Sequence, residues 1–306
     1  MSQAIVLSGG GPVGIAWQTG LAVGLAECGV ELAGAELVVG TSAGSAVGAQ
    51  LALGRDLGEA MARFEPAPVR SPEKPEAKRE RGAGSGRWGA GGGGGPMAEL
   101  FGLMGKAMAG DGDPQAARAA LGRLALEART VAEEGFKKAF AYLGGESWPA
   151  AFRCTAVDVE SGEFKVWDRA AAVTLVDAVA SSCAVPGIFP PITIGGRRYM
   201  DGGMRSGTNA DLAVGYGRVL VVSLLGVPGA GAAEGASPFA RLQSGAERER
   251  AALVESGAEV LYLAPDAEAA AVIGMELMNA RRSHAAAQAG LRQGRAEAAR
   301  LRDFWR

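Results

Sequence analysis

The chain predicts an α/β protein with a mainly parallel central sheet flanked by helices. Three observations carry that prediction. Short apolar, β-branched runs recur at 4–8, 36–39, 219–225 and 258–263, and between them lie stretches with helical periodicity. Two of these runs stop at glycines and pass at once into helix-forming sequence, at Gly9-Gly10-Gly11 and at Gly40. The length, 306 residues with 48% hydrophobic composition, suffices for one large α/β core.

The first strand spans 4–8. Gly9-Gly10-Gly11 follows, and Pro12 opens a helix over 12–28, where its missing N–H costs nothing. Ile15, Leu21, Ala22 and Leu25 recur at helical spacing, and Gly29 is the stop. The loop has two readings. Gly9-x-Gly11-x-x-Gly14 satisfies a dinucleotide-binding fingerprint, which also needs an acidic residue at the end of the second strand. That strand ends in Gly40-Thr41-Ser42 instead, and Glu31 lies before it. In the second reading, bare backbone N–H groups at a helix N-terminus form an oxyanion hole.

The second strand, 36–39, should lie parallel to the first. It runs into Gly40-Thr41-Ser42-Ala43-Gly44 and a helix over 43–53. Gly-x-Ser-x-Gly between strand and helix is the context of a nucleophile elbow, a sharp turn that exposes the serine Oγ. Glycine on both sides keeps the turn open, and the Ala43 N–H points where an oxyanion would form. The plainer reading is a tight turn with a serine N-cap.

Residues 66–96 form a Pro-, Gly- and charge-rich insertion that reads as a flexible linker, with a flap over the site as the functional alternative. An apolar helix over 97–108 reads as core or as a lipid-touching face, and two more helices cover 113–128 and 130–143. Strands at 152–158 and 163–167 pair across Ser161-Gly162. After a small-residue helix over 174–184, a second hairpin at 192–194 and 197–200 turns on Gly195-Gly196 and ends in Asp201-Gly202-Gly203. Asp201 is the candidate base, with Asp158 and Asp177 weaker. A turn-capping aspartate is the plain alternative. A charged helix over 238–256 follows, and 267–306 reads as a C-terminal helical extension, Arg-rich after Ala280. Its basic face is read as solvated, with attraction to an anionic membrane surface as the sharper reading.

Net charge is −2, which gives no case for nucleic-acid binding. Cys28, Cys154 and Cys183 are too far apart for a CxxC site and read as free thiols of a reducing compartment. Neither a signal peptide nor a membrane-spanning stretch is expected, so the predicted location is cytoplasmic. The single histidine, His284, lies in an Arg-rich helical pattern and reads as a surface residue. A serine hydrolase built on this chain therefore needs a base other than histidine, or His284 itself.

With these residues in place, the chain resembles the patatin-like phospholipases. Gly9-Gly10-Gly11-Pro12-Val13-Gly14, Gly40-Thr41-Ser42-Ala43-Gly44 and Asp201-Gly202-Gly203 follow the family's order, and the run from Ala184 to Pro191 resembles the stretch ahead of its Asp-Gly motif. The similarity spans roughly 4–55 and 150–225. It implies a single patatin-like hydrolase domain over 1–306 and catalysis by a Ser42–Asp201 dyad. It also implies an oxyanion hole at Gly9, Gly10 and Gly11, with Gly14, Gly40, Gly44, Gly202 and Gly203 in support. No cofactor or metal is implied. The expected substrate is a lipid ester, a phospholipid, lysophospholipid or acylglycerol, met at a membrane or micelle surface. One departure is Val13, where the family usually carries Arg or Lys. A nucleotide-dependent oxidoreductase and a catalytically silent lipid-binding protein are the alternatives.

Overall fold

The computed structural model describes residues 1–65, 113–224 and 238–306, with side chains described from 245 in the last segment. The 66–96 insertion and the 97–108 helix lie outside these residues. The core is a parallel set of strands: β1 (Gln3–Leu7), β2 (Leu37–Gly40), β7 (Arg218–Val222) and β8 (Glu259–Leu263), joined by β3 (Phe152–Asp158). β1 pairs in parallel with β2 and β7, β2 with β3, and β7 with β8. Strands buried on both faces need continuous apolar sequence, and Ala4, Ile5, Val6, Val38, Val39 and Leu220 are fully buried. β4 (Phe164–Trp167), β5 (Ile192–Ile194) and β6 (Arg197–Asp201) add an antiparallel flank.

One feature of this sheet positions the site. β4 covers one edge of β3 along Cys154–Val157, so β2 and β6 must share the other edge. β2 takes its first part, ending with Gly40 opposite Cys154, and β6 arrives from the far end, with Asp201 opposite Ala156. The C-terminal ends of two strands remote in sequence therefore meet at Thr155.

α1 (Gly11–Glu27) and α2 (Ala43–Ala52) follow β1 and β2 directly, with α3 (Leu57–Met61) behind them. α4 (Pro114–Glu127) is capped by Asp113, whose carboxylate accepts from the Gln115 and Ala116 N–H groups. The single helix expected over 130–143 is a short α5 (Glu133–Lys137) continued by 3-10 turns over Lys138–Leu143. α6 (Leu175–Ser182) precedes the second hairpin, and α7 (Pro238–Glu255) precedes β8.

The C-terminal stretch is not one helix. It breaks at Gly274, which has φ of 61°, into α8 (Ala267–Ile273) and α9 (Ser283–Trp305). Nor is it peripheral. α9 lies so close to α1 that a Cβ on Gly20 would meet the Ala287 carbonyl, and one on Gly290 would meet that of Trp17. Gly24 and Gly294 continue the seam. Helices that touch backbone to backbone bury small residues on both sides, so α9 covers the outer face of α1 while its arginines reach the rim. Arg295, for example, pairs with Glu27 at 2.6 Å. No helix among the described residues is long and apolar enough to cross a membrane.

Candidate active site

Ser42 sits between β2 and α2 with φ 52° and ψ −118°, a left-handed conformation that side chains rarely adopt. Packing enforces it. A Cβ on Gly44 would run into the Leu7 carbonyl, and one on Gly40 would lie 2.5 Å from the Ser45 Cα. The turn is bonded on every side. Ser42 donates its N–H to Ser182 Oγ at 3.0 Å, and its carbonyl accepts from Ser45 Oγ at 2.7 Å and from the Cys183 thiol at 3.2 Å. The Gly44 N–H reaches the Ser8 carbonyl at 3.0 Å. With its backbone committed, the serine presents only its hydroxyl.

The Asp201 carboxyl lies near that hydroxyl, close enough for the serine to lower its titration. Asp201 is the last residue of β6 and is 2% exposed. Its Oδ1 accepts the Gly203 N–H at 2.7 Å. Burial pushes the Asp201 carboxyl up to about 7, while the bonds from Ser42 and Gly203 pull the other way. An aspartate held there can exchange a proton near neutral pH.

The glycine loop lies alongside. The Cβ position of Gly9 is 3.4 Å from Ser42 Cβ, which places the loop against the nucleophile candidate. Its donors are not equivalent. Gly9 donates its N–H to the Gly207 carbonyl at 2.9 Å, so it is already engaged. The Val13 N–H reaches the Leu277 carbonyl at 3.3 Å. Among the described residues no acceptor takes the N–H groups of Gly10, Gly11 or Ala43, and these stand at the N-termini of α1 and α2. Gly14 supports the arrangement by letting α1 pass Ala43, whose Cβ lies 3.3 Å from the Gly14 Cβ position. Gly202 is wedged against Thr155, and a Cβ on Gly203 would stand 2.9 Å from Asp201 Oδ1.

Ser42 lines a cavity of about 360 Å³. Ile15, Phe64, Phe136, Phe140, Phe189 and Met278 form much of its wall. Phe136 stacks on Phe189 at 4.4 Å and meets Phe140 edge-on at 5.4 Å. Arg63 is the charged residue among those lining the space, and its guanidinium lies 5.1 Å over the Tyr142 ring. Such a lining suits an apolar chain better than a polar ligand. Cys183 also faces it. Burial, and then the nearby Asp201 charge, push its thiol well up, so it is no competing nucleophile.

The other sequence candidates lie elsewhere. His284 does not line the cavity, and its Nδ1 is 3.7 Å from Glu65 Oε2. Asp158 pairs with Arg197 at 2.6 Å. Burial works to raise its carboxyl, but the bonds from Arg197 and Ser161 prevail and hold it at about 2. Asp177 pairs with Lys137 at 2.7 Å. Among the described residues no group of three or more His, Cys, Asp or Glu could hold a metal ion. Sequence reasoning missed Ser182 and Asn209, which bond the turn carrying Ser42 from distant segments. Their only sequence signal was a small-residue helix and a turn-rich loop.

The family profile described as Patatin-like phospholipase matches residues 5–214, more than half of the chain. No curated protein matches the sequence. Among solved structures, that of VipD from Legionella pneumophila is similar at 13% identity and a TM-score of 0.42, covering 98% of this chain and 67% of VipD. The order of the glycine loop, the serine elbow and the Asp-Gly-Gly turn thus has its explanation: the chain belongs to the patatin-like phospholipase family, whose general activity is lipid acyl hydrolysis.

Proposed function

We propose that the protein hydrolyses lipid esters through a Ser42–Asp201 dyad. One observation carries this: a buried Asp201 carboxyl within reach of the Ser42 hydroxyl, at the wall of an apolar cavity. In this reading Asp201 takes the Ser42 Oγ proton as the oxygen attacks the ester carbonyl. Negative charge develops on the carbonyl oxygen, and the N–H groups of Gly10, Gly11 and Ala43 receive it. One such donor is worth about 3–4 kcal/mol in comparable sites. Asp201 returns the proton to the departing alcohol. Water, deprotonated by the same carboxylate, then releases the acyl group from Ser42. The acyl chain occupies the cavity, and the head group stays toward Arg63. Val13 in place of a basic residue leaves the backbone donors as the source of oxyanion stabilisation.

The dinucleotide alternative is less well supported. That fingerprint needs an acidic residue at the end of the second strand, and β2 instead ends at Gly40 and runs into Thr41-Ser42. The test is active-site labelling with a fluorophosphonate. Wild type and His284→Ala should label equally, and Ser42→Ala and Asp201→Asn should lose the signal. Loss of label in His284→Ala would replace the dyad with a triad, and an unlabelled wild type would overturn the hydrolase assignment.

A further inference from the structure

Where β2 and β6 stop on β3, the ladder has a gap. Gly40 pairs with Cys154 and Asp201 with Ala156, so Thr155 lies at the junction. Side chains close it. Thr41 Oγ1 is 3.1 Å from Thr155 Oγ1, and both hydroxyls meet the carboxamide of Asn209, which is fully buried. Asn209 Nδ2 donates to the Ser206 carbonyl at 2.9 Å and to Thr41 Oγ1 at 3.0 Å. The same nitrogen is 3.3 Å from the Gly202 carbonyl and 3.4 Å from Thr155 Oγ1. Its Oδ1 accepts from Arg205 Nη1 at 2.9 Å. The loop below is pinned by Glu249 of α7, which accepts from Thr208 Oγ1 and from the Ala210 N–H.

Thr41 is the residue before Ser42, and Gly202 is the residue after Asp201. We propose that Asn209 is a positioning residue for the Ser42–Asp201 pair, its carboxamide holding the two strand ends at the separation across which the proton moves. The inference rests on the dyad assignment above. The physical case is one of substitution. The strand ends have no backbone ladder between them, and a buried amide donor directed at Thr41 and Gly202 supplies the missing tie. Asn209 itself has φ 53° and ψ 39°, a left-handed conformation asparagine tolerates. It does not line the cavity, so it acts through its neighbours.

The experiment compares Asn209→Gly with wild type and Ser42→Ala in the 306-residue chain, using p-nitrophenyl butyrate. Turnover is normalised to fluorophosphonate-labelled sites. Glycine keeps the left-handed backbone open and deletes the side chain with its carboxamide. The expected result is a fall in kcat of about 10- to 100-fold, typical of sub-ångström misplacement, with KM little changed. The acid limb of the pH profile should move to higher pH, because the Ser42 bond that lowers the Asp201 carboxyl is weakened. A lower melting temperature with kcat per labelled site and the acid limb unchanged would overturn the proposal. An active Ser42→Ala would instead overturn the dyad on which it rests. Should Asn209→Gly fail to fold, Thr155→Val and Thr155→Ser decide. Loss with valine and retention with serine supports the tie, and equal turnover in both removes it.

Discussion

Gly40 and Asp201 stand two residues apart along one edge of β3, opposite Cys154 and Ala156, although 161 positions separate them in sequence. Their strands run in opposite directions and stop facing each other. Asp201 therefore needs no loop excursion to reach the Ser42 hydroxyl. Replacing it with asparagine keeps the shape and the Gly203 contact but removes the proton acceptor. Asp201→Asn should lower kcat by about 10³-fold, within the range for a general base, without unfolding the protein. Circular dichroism with steady-state ester hydrolysis checks both halves.

The buried carboxyl also predicts opposite effects of pH on activity and on stability. Activity needs ionised Asp201, so kcat/KM should rise with pH through about 7. Stability moves the other way. The folded carboxyl titrates above the unfolded value, so its contribution is complete below pH ~4 and is lost as pH rises to about 7. The loss is on the order of 4 kcal/mol, because each unit of pKa difference carries about 1.4 kcal/mol. Denaturant titrations at pH 5 and 8 (~3 pH units apart) should show wild type losing stability relative to Asp201→Asn. A flat difference between the two proteins would count against a raised carboxyl.

The α1–α9 seam makes a structural prediction with a functional consequence. A valine at Gly20 would press on the Ala287 carbonyl and force the helices apart. Gly20→Val should cost about 2–3 kcal/mol, as overpacking of a tight interface does. Because α1 carries the glycine loop at its other end, kcat should fall as well. The control is Gly29→Ala, at the left-handed stop of α1, where an added Cβ meets nothing within 4 Å. It should cost stability through backbone strain and leave kcat unchanged. Thermal melts beside turnover separate the two effects.

The aromatic wall should set which acyl chains are accepted. Phe140 lines the cavity and packs edge-on against Phe136. Phe140→Ala opens space at a cost of about 3–5 kcal/mol of stability. Ile15→Trp fills the same space. The expected outcome is a shift in chain-length preference across a p-nitrophenyl ester series: toward longer chains for the first variant, toward shorter ones for the second. Identical profiles for both would place the acyl chain elsewhere.

Two local motifs were legible in the sequence because their chemistry is local. The torsions at Ser42 require glycine at 40 and 44, so the elbow is written in five consecutive residues. The continuous apolar runs marked β1, β2, β7 and β8, and Gly195-Gly196 marked the hairpin that delivers Asp201. The break within the C-terminal stretch was less legible. Gly274 is one glycine among 48, and nothing local distinguishes it. The cavity wall was hidden for a different reason: Phe136 and Phe140 lie four residues apart, but Phe189 comes from a distant segment and meets them only through packing.

The sequence by itself determined the α/β class, the tight turn at Ser42, the glycine loop and the hairpin that ends in Asp201, each through backbone torsions that a few neighbouring residues dictate. Only the tertiary structure decided that β2 and β6 share one edge of β3, that Gly9 spends its N–H on Gly207, and that Asn209 bridges the strand ends. Those outcomes depend on strand register and on competition for hydrogen-bond partners across the chain. Neither is settled until every buried donor has found its acceptor.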